Sequence, residues 1–154
     1  MQSDRRNFIR IIASAGAGLV GAPLLTACAA QSSGGGQPEA QGALDGGNVS
    51  DLALSDPRTL AEPVVVIRDD GGVYAMTTIC THAQCDMSHS GSISAAGLHC
   101  SCHGSSFDLQ GNATQGPART PLAHYAVDID AGGEITVQAG EVVPADRRVD
   151  VASV

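Results

Sequence analysis

Two short segments of this 154-residue chain place cysteine and histidine at close spacing. The first reads C-x-H from Cys80 to His82, and the second reads C-x-x-H from Cys100 to His103. Two thiolates and two imidazoles suit a tetrahedral zinc ion. They also suit a [2Fe–2S] centre in which histidines replace the two cysteines on one iron, an exchange that raises the reduction potential. The two segments therefore indicate either a structural zinc site or electron-transfer chemistry.

The residues around these pairs help to distinguish a zinc site from an iron–sulfur centre. Each segment carries one further cysteine, Cys85 and Cys102, and the second segment continues as GSSF at 104–107. With these residues the two segments resemble the motifs of the Rieske [2Fe–2S] family, in particular its cytochrome bc-type and arsenite-oxidase-like branch. A zinc site would leave the additional residues without explanation. We therefore favour the iron–sulfur cluster and keep a zinc-binding structural module as the alternative.

The resemblance implies a ligand set and a cross-link. In the family, Cys80 and Cys100 would bind the inner iron, and His82 and His103 the outer iron. Cys85 and Cys102 match the disulfide that ties the two loops together beneath the metal. That bond implies an oxidising compartment.

Further positions are expected to tune the centre. Ser105 matches the family serine that hydrogen-bonds a bridging sulfide, which raises the potential. Phe107 stands where quinol-oxidising members usually have a tyrosine bonded to a ligand sulfur, so we expect a potential below theirs. The segment 116–122 resembles the family's proline loop, which covers the remaining face of the cluster. The histidines outside the two Cys/His pairs are interpreted as surface or strand residues: His89, His99 and His124.

The N-terminus has the composition of an export signal. Residues 1–27 combine three arginines, an apolar centre and small residues before Cys28. The sequence DRRNFIR at 4–10 resembles a bacterial twin-arginine signal, and LTAC at 25–28 resembles a lipoprotein signal-peptidase box. Cys28 is therefore the predicted lipidation site. The alternative is an uncleaved anchor, because residues 11–30 form an uncharged run long enough to span a bilayer.

The remaining chain divides by composition. Residues 28–47 are predicted to be the lipidated cysteine and a flexible Gly/Ser-rich linker, 48–143 one domain, and 144–154 a C-terminal tail that is either disordered or paired to a sheet edge. Apolar runs around Gly71 and Gly132 predict two β-hairpins. The cluster-binding part, about 78–122, lies between the hairpins and is low in large apolar side chains, so metal and disulfide are expected to substitute for a core. The predicted fold is all-β: a Rieske fold with an antiparallel base and an inserted cluster-binding subdomain.

Charge and export together indicate the function. From Cys28 onward the chain has five arginines, no lysine and fifteen acidic residues, which argues against nucleic acid and suits a basic partner such as a cytochrome c. We predict a carrier of single electrons, not an enzyme on its own, lipid-anchored outside the cytoplasm at the periplasmic side or cell surface. Its expected partners are cytochrome c or cytochrome b-type proteins. The competing predictions are the Rieske subunit of a quinol-oxidising cytochrome bc complex, or of an arsenite-oxidase-like enzyme with a molybdenum subunit.

Overall fold

The computed structural model describes residues 42–61 and 63–151. The predicted signal (1–27), the lipidation site Cys28 and the linker up to residue 41 lie outside these residues. The described chain forms ten β-strands and a 3-10 turn, and the predicted all-β fold is confirmed. The strands are β1 Gly42–Asn48, β2 Arg58–Thr59, β3 Val64–Asp69, β4 Gly72–Thr77, β5 Gly91–Ser94, β6 Gly97–Cys100, β7 Ser105–Phe107, β8 Ala113–Gln115, β9 His124–Ile129 and β10 Glu134–Val143. Within the described ranges, no helix is long and apolar enough to cross a bilayer.

Six strands form an antiparallel base sheet in the order β1-β10-β9-β4-β3-β2. Both predicted hairpins are present, β3–β4 around the turn at Asp70-Gly71 and β9–β10 around the turn at Ala131-Gly132. Gly72 begins β4 with φ of +129°, and a side chain there would collide with the main-chain carbonyl of Val149. Glycine is required at this position because it has no Cβ.

The hairpin β3–β4 is buried on both faces. Successive side chains of a strand point to opposite faces of its sheet. On one face, Val66 and its partner Ala75 belong to the core of the base. On the other face, Val65 and its partner Met76 belong to a second core, which includes residues of the cluster-binding part. The continuous apolar run in β3 is therefore explained by two cores that share one hairpin.

The segment between β4 and β9 forms a second sheet, antiparallel and ordered β5-β6-β7-β8. It is the predicted inserted subdomain. We expected this subdomain to lack a core of its own, but it contains one. Leu98 and Phe107 face each other across β6 and β7, and both are almost fully buried with Met87 against the second face of β3–β4. A few large side chains suffice because the base hairpin supplies the other wall of this core.

Both ends of the described chain are joined to the base sheet. Strand β1 covers Gly42–Asn48 and pairs with β10, so the last residues assigned to the linker belong to the base sheet. In the predicted tail, Val149 exchanges two main-chain hydrogen bonds of 2.9 Å with Val73 of β4. These glycine-rich and polar stretches have weak alternation of their own, and their structure depends on the strands that they join.

Candidate metal centre

The first ligand loop leaves β4 and folds back on itself. Ile79 pairs with Asp86 in an isolated antiparallel bridge, and the N–H of Cys80 donates to the carbonyl of Cys85 at 2.8 Å. Gln84 adopts a φ of +61°, and its N–H donates to the carbonyl of Cys80 at 3.0 Å. As a result, Cys80 is buried at the base of the loop while His82 lies in its exposed turn.

The carboxylate of Asp86 holds this loop in shape. Its Oδ1 accepts three hydrogen bonds, from the Thr78 hydroxyl at 2.7 Å and from the N–H and hydroxyl of Ser88 at 2.9 and 2.8 Å. Its Oδ2 lies 3.0 Å from Nδ1 of the exposed His89. Burial opposes ionisation, but the hydrogen bonds from Thr78, Ser88 and His89 outweigh it, so the pKa of Asp86 is lowered. The sequence analysis missed this residue, although the Asp-x-Ser spacing is typical of an Asx turn.

The second ligand loop is the tight connection between β6 and β7. Cys100, the last residue of β6, pairs with Ser105, the first residue of β7. The N–H of Gly104 donates to the carbonyl of Cys100 at 2.9 Å, with a φ of +82° at Gly104. Glycine adopts this left-handed conformation without steric cost. The turn leaves Cys100 buried and His103 exposed, the same arrangement as in the first loop.

The two loops together bring four donor side chains into one region. Cys80 and Cys100 are the free cysteines of the described ranges, each about 1% exposed. Burial raises the pKa of the Cys100 thiol. The main-chain N–H of Cys102 opposes this increase, whereas the neighbouring Cys80 adds to it. The rings of His82 and His103 are exposed, with centroids 4.7 Å apart and planes at 77°. The arrangement pairs two buried sulfurs with two exposed imidazoles.

A disulfide joins the two loops, as predicted. It links Cys85 to Cys102 across 17 residues of sequence. Their sulfur atoms and that of Cys100 lie within 4.8 Å of one another, so the cross-link is adjacent to the donor set. Because two of these sulfurs are bonded to each other, this trio does not form a metal site of its own.

The spread of the donors fits a two-iron cluster. In the part of the chain that the structure describes, no other trio of potential metal ligands is as compact as these three sulfurs. A single tetrahedral zinc ion requires four donors around one point. A [2Fe–2S] cluster divides its ligands between two metal ions, which suits one buried and one exposed pair. The assignment of Cys80, His82, Cys100 and His103 as ligands remains a prediction that this geometry favours.

A third loop, residues 116–122, packs against both ligand loops. The N–H of Ala118 donates to the Ser105 hydroxyl oxygen at 3.0 Å, and both residues are buried. The Thr81 hydroxyl donates to the carbonyl of Thr120 at 2.8 Å. Next to this loop, Gln115 donates to the carbonyl of Gly104 at 3.0 Å. The three loops thus form one connected structure. Since the Ser105 oxygen accepts from Ala118, its own O–H is available to donate.

Phe107 is 2% exposed and belongs to the core shared with the base. Its ring has no hydroxyl, so it cannot donate the hydrogen bond that a tyrosine would give at this position. The roles of Ser105 and Phe107 in setting the potential remain predictions. The structure adds that neither side chain is free to turn toward solvent.

A stack of side chains connects the cluster-binding part to the base, and the sequence analysis missed it. The Tyr74 hydroxyl donates to the carbonyl of Leu109 at 2.8 Å. His124 stacks on Tyr74 at 5.7 Å, with its Nε2 3.1 Å from the carbonyl of Gln110. Arg148 covers the Tyr74 ring at 3.7 Å. Both carbonyls belong to the β7–β8 turn, so the stack fixes that turn to the base sheet.

Burial shifts the pKa of both rings in this stack. It raises the pKa of Tyr74 to about 12, despite the nearby Arg148 guanidinium, so the hydroxyl remains a donor. Burial also lowers the pKa of His124. The hydrogen bond to the carbonyl of Gln110 opposes this decrease, whereas the Arg148 guanidinium adds to it. His124 is 2% exposed, in agreement with its interpretation as a strand residue. His99 is half-buried in β6 with its Nδ1 3.1 Å from the Ser106 hydroxyl, and His89 is exposed.

Comparison with known proteins supports this interpretation. The family profile of the Rieske [2Fe-2S] domain matches residues 44–126. A cytochrome b6-f complex iron–sulfur subunit of Cyanothece sp. strain PCC 7425 is 33% identical over 117 residues, which are 60% of this chain and 64% of that protein. The ferredoxin component of the p-cumate 2,3-dioxygenase system of Pseudomonas putida is 33% identical over 72 residues, 46% of this chain and 60% of that protein. This chain therefore spans less than two thirds of the length of either relative.

The fold is also found among solved structures. The plasma membrane Rieske protein of Synechocystis PCC 6803 superimposes with a TM-score of 0.50 and 28% sequence identity, covering 62% of this chain and 99% of that one. Residues 44–126, which match the family profile, contain both ligand loops and strands β2 to β8. The cofactor of this domain is a [2Fe–2S] cluster, and the cysteines and histidines that would bind it are present here. This chain belongs to the Rieske [2Fe–2S] family of iron–sulfur electron-transfer proteins.

Proposed function

We propose that this protein is a membrane-tethered, extracytoplasmic Rieske electron carrier that moves one electron at a time between respiratory-type redox partners. The observation that carries the proposal is the exposed pair of His82 and His103 above the buried pair of Cys80 and Cys100. When bound, the cluster supplies a one-electron couple at a potential that mixed Cys/His ligation raises. The exposed imidazoles offer a short route to a partner, because they are the ligands at the protein surface.

The protein residues around the donor set have defined tasks in this proposal. The buried thiols of Cys80 and Cys100 hold the cofactor from inside. The disulfide and the carboxylate of Asp86 fix the shapes of the two ligand loops. The third loop is attached through Thr81 and Ser105 and would cover the remaining side of the cluster. Such pre-organisation keeps the ligands in place without requiring rearrangement.

Three features support the proposed location. A disulfide between the ligand loops suits an oxidising compartment outside the cytoplasm. The twin-arginine resemblance at 4–10 suits a protein that is exported after its cofactor is inserted. The lipoprotein resemblance at 25–28 suits a lipid anchor at Cys28.

Two experiments test the proposal. The dithionite-reduced protein should give a Rieske-type EPR spectrum, and a zinc-containing protein without this spectrum would refute the electron-carrier function. Cell fractionation with mass spectrometry of the mature N-terminus should find a lipid on Cys28, and Cys28→Ala should abolish lipid attachment. An N-terminus that retains residues 1–27 would instead support the uncleaved anchor.

A second candidate is a subunit of a larger complex. The similarity to a cytochrome b6-f iron–sulfur subunit favours a role beside a cytochrome b. Phe107 argues against quinol oxidation, because it lacks the tyrosine hydroxyl usual in that branch. An arsenite-oxidase-like assembly accommodates phenylalanine there and would supply a molybdenum partner. Purification from the native membrane in mild detergent separates these cases, since a free carrier would elute without a cytochrome b or molybdenum subunit.

A further inference from the structure

Charge is distributed very unevenly between the two halves of the described chain. The cluster-binding part, residues 78–122, contains two carboxylates and one arginine. The described residues outside it contain eleven carboxylates and four arginines. The negative charge that suggested a basic partner therefore lies in the base, while electrons are expected to enter and leave through the ligand loops.

The two carboxylates of the cluster-binding part are already engaged. Asp86 accepts hydrogen bonds from Thr78 and Ser88 and contacts His89. Asp108 accepts from the N–H of Asn112 at 2.8 Å and from its side-chain amide at 2.9 Å. Both are half-buried. Neither belongs to the surface that surrounds the exposed histidines.

We define that surface as the ligand-loop surface, formed by the exposed residues of 82–84, 101–103 and 116–121. Its three segments are held together by Thr81–Thr120 and Gln115–Gly104 hydrogen bonds, and by the ring contact between His82 and His103. Arg119 is the one formally charged residue in these segments. It is exposed, and its guanidinium makes no hydrogen bond or ion pair within residues 42–61 and 63–151.

Arg119 is also positioned by the fold. It follows Ala118, which is buried and bonded to Ser105, and precedes Thr120, which is bonded to Thr81. Its main chain is therefore fixed on both sides beside the first ligand loop. An unpaired guanidinium on a fixed main chain, in an otherwise uncharged surface, can pair with a carboxylate.

We infer that the ligand-loop surface docks onto an acidic face of a partner redox protein, with Arg119 paired to a side-chain carboxylate near the partner's cofactor. This inference rests on the proposed function, because it assigns the chemistry of a partner to the same electron-transfer surface. The acidic base contributes to orientation, since it repels an acidic partner from every approach except that through the ligand loops. Arg119 is a positioning residue here, and it takes no part in binding the cofactor.

The test uses two forms of one probe: a lysine-rich c-type cytochrome, and the same cytochrome with its lysines succinylated to carboxylates. Reduced protein is mixed with each oxidised probe in a stopped-flow instrument at low ionic strength. Arg119→Gln should slow electron transfer to the succinylated probe by about threefold or more, because steering at a docking site acts mainly on the association rate. Arg119→Lys should retain most of the rate. High salt should remove the difference.

Arg147→Gln is the matched control. Arg147 is an exposed arginine outside the cluster-binding part, and its replacement changes the net charge by the same amount. Equal effects of Arg119→Gln and Arg147→Gln, or no effect of either, would overturn the inference. EPR spectra of the same samples separate this failure from failure of the proposed function. An intact Rieske signal with equal rates would refute the role of Arg119 but not the proposed function. Absence of the signal in the unmodified protein would refute the proposed electron-carrier function.

Discussion

The hydroxyl oxygen of Ser105 accepts the main-chain N–H of Ala118 at 3.0 Å, and both residues are buried. This contact restrains the serine side chain and leaves its O–H available to donate. A hydroxyl that is held in this way can favour the more negative, reduced form of a bound cluster without any change of conformation.

We therefore expect Ser105→Ala to lower the midpoint potential. One hydrogen bond contributes about 1–2 kcal/mol, which for a one-electron couple corresponds to roughly 40–90 mV. A redox titration followed by EPR measures the change. Ser105→Thr keeps the hydroxyl and serves as the control. An alanine variant with an unchanged potential and an intact spectrum would show that the hydroxyl donates elsewhere.

Phe107→Tyr should have the opposite effect. The new hydroxyl would add a donor at the position where quinol-oxidising members carry one, and we expect the midpoint to rise by a similar amount, roughly 40–90 mV. Phe107→Leu should lower stability without raising the potential, because it reduces the packing against Leu98 and adds no polar group. If the unmodified protein already has the potential of tyrosine-bearing members, our explanation of this position is wrong.

Thr81→Val should weaken retention of the cluster. The substitution removes the 2.8 Å hydrogen bond to the carbonyl of Thr120 and so detaches the third loop from the first ligand loop. We expect the visible absorbance of the cluster to be lost several-fold faster in the presence of a chelator, consistent with loss of one hydrogen bond of about 1 kcal/mol. Thr81→Ser should behave like the unmodified protein. Equal rates for the valine and serine variants would contradict this role.

His124 should make stability depend on pH. Its pKa is lowered in the folded state, so the unfolded chain binds more protons at mildly acidic pH. The stabilisation is complete above the unfolded pKa, ordinarily about 6.5, and is lost as pH falls from there through the lowered pKa of the folded state. His124→Gln should remain folded and lose part of this pH dependence.

Thermal unfolding at pH 7.5 and at pH 5.5 tests the prediction. A difference of about 1 kcal/mol corresponds to roughly 4–8 °C for a domain of this size. The fall in Tm on acidification should be smaller for His124→Gln than for the unmodified protein. Parallel dependences of Tm on pH for the two proteins would refute the assignment to His124.

The sequence predicted features that depend on local patterns. The Cys/His spacing indicated both ligand loops, and the apolar runs around Gly71 and Gly132 indicated the two hairpins of the base. It did not predict the core of the cluster-binding part, because Leu98 and Phe107 are isolated in the sequence and gain apolar neighbours only from β3–β4.

Long-range contacts could not be predicted from the sequence either. The bonds from Tyr74 to the carbonyl of Leu109 and from Thr81 to that of Thr120 join residues 35 and 39 positions apart. Main-chain carbonyls carry no sequence signal, so no residue type marks their acceptors. Strand β1 was missed for a related reason, since its glycines resemble a linker and its pairing with β10 is a property of the folded sheet.

The two-sided burial of the β3–β4 hairpin bears on the speed of electron exchange. The hairpin lies between the base core and the second core, which contains Cys80 and Cys100, and closely packed interiors resist local displacement. A cluster held by Cys80 and Cys100 would therefore keep nearly the same nuclear positions when its charge changes. We expect a small reorganisation energy of the protein, so that the rate would depend mainly on how closely a partner approaches the two imidazoles.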